Sequence, residues 1–128
     1  MIKFRVLSLI TSVIAIILFI SLLFVPEPIF MLFEIDGNES AYFISRRAAM
    51  LFLGFAVISY FSRNAQNTNT RQSILLGLTL SMFGLAILGT FEFVRGFAGI
   101  GIFLAIGTEV FLAVSYGSIW LSSRKQAV

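Results

Sequence analysis

Four long apolar stretches constrain this chain more than any other feature of its sequence. They cover residues 6–25, 42–62, 73–93 and 97–121. A helix of about 20 residues, rising about 1.5 Å per residue, crosses a hydrocarbon core of about 30 Å. The hydrophobicity is continuous rather than alternating, unlike that of membrane-barrel strands, and lipid offers no partner to unpaired peptide groups. We therefore expect four membrane-spanning helices.

The composition agrees with this prediction and argues against a soluble domain. Hydrophobic residues make up 59% of the 128 residues and charged residues only 12%, against roughly 45–50% and about 25% in soluble proteins. A chain of this length has too little interior to hide so much apolar surface from water. The sequence thus predicts a single all-α domain over residues 1–128, an antiparallel up-and-down bundle of four transmembrane helices.

The segment after the first stretch has a character of its own. Pro26 and Pro28 end the first helix, and the apolar residues 29–35 that follow are too few to cross a bilayer. Glu27 and Glu34 lie seven residues apart and therefore share one face of a helix. The pattern fits either a short helix lying in the membrane interface, with its aromatic side chains in lipid, or a simple connector. The sequence leaves both open.

The distribution of basic residues predicts the orientation of the helices. The two ends and the middle loop hold six basic residues and no acidic one: Lys3, Arg5, Arg63, Arg71, Arg124 and Lys125. The opposite side holds five carboxylates and only three basic residues: Arg46, Arg47 and Arg95. Because loops rich in Lys and Arg stay in the cytoplasm, we expect both termini to be cytoplasmic. The basic residues form no patch with stacking aromatic groups, so we expect no nucleic acid partner.

Two residue types are missing from the sequence, and their absence limits its chemistry. The chain contains no cysteine and no histidine, so it offers no thiolate nucleophile, no Ser–His pair and no Cys or His ligand for a metal or haem. Only carboxylates, arginines and hydroxyl groups remain for catalysis. We therefore expect neither an enzymatic activity nor a metal or haem cofactor. The 15 phenylalanines leave a lipid, quinone or pigment ligand open.

The fourth stretch carries the most distinctive pattern in the chain. Every fourth residue forms one ridge of small side chains with a carboxyl group at its centre: Gly101, Ala105, Glu109, Ala113 and Gly117. The third stretch offers a similar face, formed by Gly77, Ser81 and Gly84. Small residues at such spacing let membrane helices approach closely. Since only a short connection joins the two stretches, we expect them to form a tight antiparallel hairpin through these helix-packing residues.

Glu109 is the only ionisable residue deep inside a predicted span. A charge at that depth costs at least about 2.5–3.5 kcal/mol, so the side chain should face the interior of the bundle. One hypothesis is structural: a neutral Glu109 hydrogen-bonds Ser81 or a backbone carbonyl and contributes about 1 kcal/mol. The other is functional: Glu109 is a proton or cation site, or contacts a ligand.

A second group of polar residues lies near the predicted outer side of the membrane. Arg46 and Arg47 lie near the start of the second span, and Glu92 and Arg95 near the end of the third. In one arrangement the two arginines reach lipid phosphates, while Glu92 and Arg95 pair locally at i,i+3. In the other, all four line an outward-facing pocket. Such a pocket would bind an anionic headgroup or the carboxylate of a small ligand.

Several features follow one another in a characteristic order along most of the chain. A first span ends in Pro26, the short apolar segment 29–33 follows, and further on come Arg46, Arg47, Ala48, Ala49, Gly54, Arg71, Gly77, Glu109 and Tyr116. This order resembles that of a family of small four-helix bacterial inner-membrane proteins of unknown function. The resemblance implies the four-helix layout and the bacterial inner membrane. It implies no particular activity.

Two functional hypotheses follow from the residues. The first is an accessory or assembly protein that binds lipid, another membrane protein or a second copy of itself, since no catalytic set is recognisable. The alternative is a small proton- or cation-coupled transporter or channel that uses Glu109. Glu109→Gln separates the two, because glutamine retains hydrogen bonds but carries no exchangeable acid proton.

Overall fold

The computed structural model describes residues 2–128, and the regular secondary structure of this part of the chain is entirely helical, with no β-strand. Its α-helices are α1 (Phe4–Phe24), α2 (Glu27–Phe33), α3 (Glu39–Ser62), α4 (Asn69–Val94) and α5 (Ile102–Ser123), followed by a 3₁₀ turn (Arg124–Gln126). Four of them, α1, α3, α4 and α5 with its 3₁₀ turn, are long and apolar enough to cross a membrane. The predicted all-α fold with four candidate spans is confirmed.

Local sequence signals set the helix boundaries. The side chain of Asn38 accepts a hydrogen bond from the Ala41 amide at 2.8 Å, and Thr68 accepts one from the Arg71 amide at 3.3 Å. These caps start α3 and α4 three and four residues before the apolar stretches begin. Helix α5, which corresponds to the fourth predicted span, begins at residue 102 rather than at residue 97. Gly96, with a φ of 81°, keeps the connection in a turn that a helix cannot continue.

The long helices form two tight pairs, α1 with α3 and α4 with α5. Small side chains let α1 and α3 approach: Ala15, Ala49 and Ala56 are all buried. Two serine hydrogen bonds also join α1 to α3. Ser12 Oγ donates to the Ala56 carbonyl at 3.0 Å, and Ser45 Oγ donates to the Leu22 carbonyl at 2.8 Å. The small-residue face of α3 is a feature that the sequence analysis missed. Its signal is the spacing of Ser45, Ala49, Ala56 and Ser59, which all lie on one helix face.

Helices α4 and α5 pack along their full length and run in opposite directions. A Cβ atom at Gly117 would lie 3.3 Å from Thr79, near the middle of α4. Closer to the carboxyl end of α4, a Cβ atom at Gly89 would lie 3.1 Å from Ile106. The expected pairing of these two helices is therefore present, and Gly117 lies within it.

The face of α4 used in this pairing differs from the predicted one. Nothing lies within 4 Å of the positions that side chains on Gly77 or Gly84 would occupy, and both residues are exposed. The buried face of α4 instead consists mainly of larger residues: Gln72, Leu75, Leu78, Met82 and Ala86. The physical reason is that α4 must also fill the space toward α1, where Leu75 and Leu78 join one core cluster with Phe4 and Leu7.

The short segment after α1 is a helix, as one of the two sequence interpretations proposed. Pro26 is its N-cap residue, and Phe30 is its single buried residue. The ring of Phe30 lies 5.4 Å from that of Tyr42 at the start of α3. The other end of α2 meets the α4–α5 connection, where the Gly99 amide donates to the Phe33 carbonyl at 2.8 Å. Helix α2 thus lies across one end of both helix pairs.

Candidate functional site

A cavity of about 220 Å³ lies between the two helix pairs and beneath α2. It forms because each pair packs tightly within itself, while α1 and α5 are the only long helices of different pairs with more than slight backbone contact. All five helices contribute to its wall. On the side of α3 and α4 the wall is formed by Phe52, Phe55, Met82 and Leu85. The space is therefore lined mainly by apolar side chains.

Helix α5 brings the polar residues of the cavity wall together. Thr108 and Glu109 lie there beside Ala105, and Thr11 faces them from α1. The two threonines donate their hydroxyl protons to carbonyl oxygens of their own helices, Thr11 to Leu7 at 3.0 Å and Thr108 to Leu104 at 2.9 Å. Glu109 is the single ionisable residue in the wall.

The Glu109 carboxyl group retains unused hydrogen-bonding capacity. Its Oε2 atom is buried and has no hydrogen-bond partner among residues 2–128. Neither lysine nor arginine lines the cavity around it. A buried polar atom without a partner costs about 1–3 kcal/mol, so a hydrogen-bonding group that comes within reach of this carboxyl group would be stabilised.

The structure does not join Glu109 to Ser81. Ser81 is partly buried on α4, and the hydrogen bonds of the described residues include none between these two side chains. Helix α4 is rotated about its axis relative to the predicted packing, so that Gly77 and Gly84 are exposed. The same rotation explains why Ser81 does not pair with Glu109. The remaining members of the predicted ridge have different neighbours: Ala105 lines the cavity, Ala113 lies in the core, and Gly101 lies against the Leu32 carbonyl group of α2.

The four residues of the predicted outer pocket do not assemble into one site. Glu92 and Arg95 form the local i,i+3 pair at 3.4 Å, and both side chains are partly exposed. Arg46 and Arg47 are exposed on α3, where the guanidinium of Arg47 lies 5.9 Å from the ring centre of Phe43. The arrangement matches the local-pair interpretation, in which the two arginines remain available to lipid phosphates.

A cluster of buried hydroxyl groups adjoins the cavity and was missed by the sequence analysis. The Tyr116 hydroxyl lies 2.6 Å from Thr11 Oγ1. The hydroxyls of Ser8 and Ser59 lie near it, are buried and have no hydrogen-bond partner among the described residues. Polar residues at positions 8 and 11 on one face of an otherwise apolar span could have indicated this cluster.

A second polar cluster lies at the end of the bundle opposite α2. Gln72 Nε2 donates to Asn67 Oδ1 at 2.7 Å and to Ser123 Oγ at 2.9 Å, and Asn67 Nδ2 donates to the Ser123 carbonyl at 3.0 Å. The Val128 amide donates to the Asn67 carbonyl at 3.0 Å. These contacts hold the carboxyl end against the α3–α4 loop.

Residues 2–128 contain no group of three or more His, Cys, Asp or Glu side chains that could hold a metal ion. Comparison of the chain with protein-family models, with curated proteins and with solved structures gave no significant match. The cavity and its carboxyl group are therefore the features that point to a function.

Proposed function

We propose that this chain is a membrane-embedded binding protein for a small lipid-soluble molecule that carries one polar group. The observation that carries the proposal is the position of Glu109, whose carboxyl group has a buried oxygen without a partner and lies in the wall of a mainly apolar cavity. This role is the ligand-binding form of the accessory function that the sequence favours.

The size and chemistry of the cavity define the ligand class. A cavity of about 150 Å³ lined by apolar side chains holds one benzene ring. A volume of about 220 Å³ accommodates a ring with a short substituent or the end of one chain. A neutral Glu109 would donate its proton to a ligand carbonyl or ether oxygen, since a charge in this setting is costly. The ligand class is therefore a small ring or short chain with one hydrogen-bond acceptor.

Two fluorinated probes of similar shape test this proposal. 4-Fluoroacetophenone has a carbonyl acceptor, whereas 4-fluoro-α-methylstyrene has a CH2 group in place of the oxygen. We expect ¹⁹F NMR of the protein in nanodiscs to show saturable binding of both, tighter for the ketone by about tenfold, the worth of one net hydrogen bond. Glu109→Leu should remove this preference, and Glu109→Gln should retain it because the amide still donates.

Filling the cavity provides the matched control. Ala105→Phe places a ring in the cavity, while Val110→Phe places one on an exposed position of the same helix. The first should abolish binding of both probes and the second should leave it unchanged. Equal binding to wild type, Ala105→Phe and empty nanodiscs would show that the probes occupy only lipid, and the proposal would be abandoned.

Proton-coupled transport is a second candidate function, and the buried hydroxyl cluster favours it. Glu109, Tyr116 and Ser123 lie at intervals of seven residues on one face of α5. Together with the Thr11–Tyr116 contact they form a row of polar groups from the cavity toward the end of the bundle opposite α2. In proteoliposomes with a trapped pH dye, this function requires dissipation of an imposed pH gradient. Glu109→Gln should block that flux, and equal leakage of wild type and variant would exclude the coupling role.

We also propose that the end of the bundle bearing both termini faces the cytoplasm of a bacterial inner membrane. The contacts of Arg71 with Phe4 and of Asn67 with Val128 support a common side for the termini and the middle loop, and the six basic residues at this end support a cytoplasmic side. The cysteine-free chain permits a direct test. In intact cells an impermeant maleimide should label Asp36→Cys and spare Gln66→Cys, and the opposite pattern would reverse the orientation.

A further inference from the structure

We propose that α2 is a lid that controls access to the cavity, a proposal that rests on the binding function above. Ile29, Leu32 and Phe33 turn inward from α2 and form the roof of the cavity. Helix α2 pairs tightly with none of the four long helices. Its displacement would therefore open the cavity without separating α1 from α3 or α4 from α5.

A small latch holds the lid closed. The Gly99 amide donates its hydrogen bond of 2.8 Å to the Phe33 carbonyl, and the neighbouring Leu32 carbonyl lies directly against Gly101. A Cβ atom at Gly101 would overlap this carbonyl group, so the latch closes only because position 101 has no side chain. Within α5, by contrast, a Cβ atom at Gly107 would have nothing within 4 Å.

Both ends of α2 have the backbone character of hinges. Val25, before Pro26, has a φ of −140° and a ψ of 71°, outside the helical region. Glu34 ends α2 at a φ of 55° and is the one non-glycine residue among 2–128 with a positive φ. A residue with a side chain is disfavoured there by sterics, and such strain concentrates at clamps and switch segments. Lids commonly turn about a few such positions at the ends of an element.

A reversible cross-link tests the lid directly. A Cβ atom at Gly99 would lie 2.5 Å from Glu34 Cγ, so cysteines at both positions place their Cβ atoms within about 4 Å, the separation that a disulfide requires. The chain has no other cysteine. In Glu34→Cys/Gly99→Cys, oxidation should slow exchange of 4-fluoroacetophenone, measured by ¹⁹F exchange spectroscopy, by at least about tenfold. Reduction should restore the rate, and the two single variants should not respond to oxidant.

A second variant weakens the latch instead of locking it. Gly101→Ala should displace the Leu32 carbonyl and speed probe exchange by about tenfold, whereas Gly107→Ala should leave the rate unchanged. Equal exchange in the oxidised and reduced double variant would overturn the lid while leaving the binding function standing. Failure of the two cysteines to cross-link would contradict the latch contact itself. Absence of probe binding in every form, wild type included, would overturn the binding function and the lid with it.

Discussion

The hydroxyl oxygens of Thr11 and Tyr116 lie 2.6 Å apart, and this contact joins α1 to α5 where the two helix pairs meet. Both hydroxyl groups lie within hydrogen-bond distance of the Leu7 carbonyl oxygen, Thr11 at 3.0 Å and Tyr116 at 3.4 Å, so either hydroxyl can be the donor in the contact between them. Tyr116 is fully buried. The contact therefore fixes the distance between the pairs just beyond the cavity.

Removing this hydroxyl contact should loosen the association of the two pairs. We expect Tyr116→Phe to lower the free energy of unfolding by about 0.6–1.7 kcal/mol, the range for hydrogen bonds between membrane helices. A double-mutant cycle with Thr11→Val, followed by steric-trapping or denaturant unfolding in detergent, should show coupling of similar size. Strictly additive effects of the two substitutions would mean that the hydroxyls do not support each other.

The glycines of α4 and α5 should differ sharply in their tolerance of larger side chains. A Cβ atom at Gly117 would lie 3.3 Å from Thr79, whereas one at Gly77 would have nothing within 4 Å. Gly117→Leu should therefore destabilise the protein by about 1–3 kcal/mol through overpacking, and Gly77→Leu should be close to neutral. Thermal unfolding in detergent, followed by circular dichroism, provides the comparison. A larger loss of stability in Gly77→Leu than in Gly117→Leu would instead support the α4 packing face predicted from the sequence.

The tight approach of α1 and α3 depends on a small residue at position 49. Ala49 is fully buried, and a longer side chain there must push the two helices apart. We expect Ala49→Leu to cost about 1–3 kcal/mol, with Met50→Leu on the exposed neighbouring position as the control. If the two variants unfold at the same temperature, Ala49 does not lie in a close helix contact.

The polar cluster at the carboxyl end should control local opening rather than global stability. Gln72→Leu removes both donations, to Asn67 at 2.7 Å and to Ser123 at 2.9 Å. Hydrogen exchange of the Val128 amide, which is bonded to the Asn67 carbonyl, should become faster. Gln66→Leu, at an exposed position of the α3–α4 loop, should not change this exchange rate. Unchanged exchange in Gln72→Leu would show that the end is held by other contacts.

Parts of the candidate site were predictable from the sequence because burial of a carboxyl in lipid is costly wherever it occurs. Glu109 was therefore identified without knowledge of its neighbours, and it lies in the cavity wall. Its expected partner Ser81 was not predictable in the same way. The rotation of α4 depends on how Leu75 and Leu78 fill the space toward α1, and four-residue spacing alone does not determine that rotation.

The sequence by itself determined the helices, since the length and continuity of the four apolar stretches leave a lipid-exposed backbone no other way to satisfy its peptide groups. The pairing of the last two spans also follows from the sequence, whereas the short helix after Pro26 is only one of two alternatives there. The covering of a cavity by α2, and the position of Gly99 and Gly101 beneath it, emerge only when the helices pack together. The physical reason is that membrane helices associate by shape rather than by hydrophobicity, so their faces and gaps depend on the side chains of all neighbours at once.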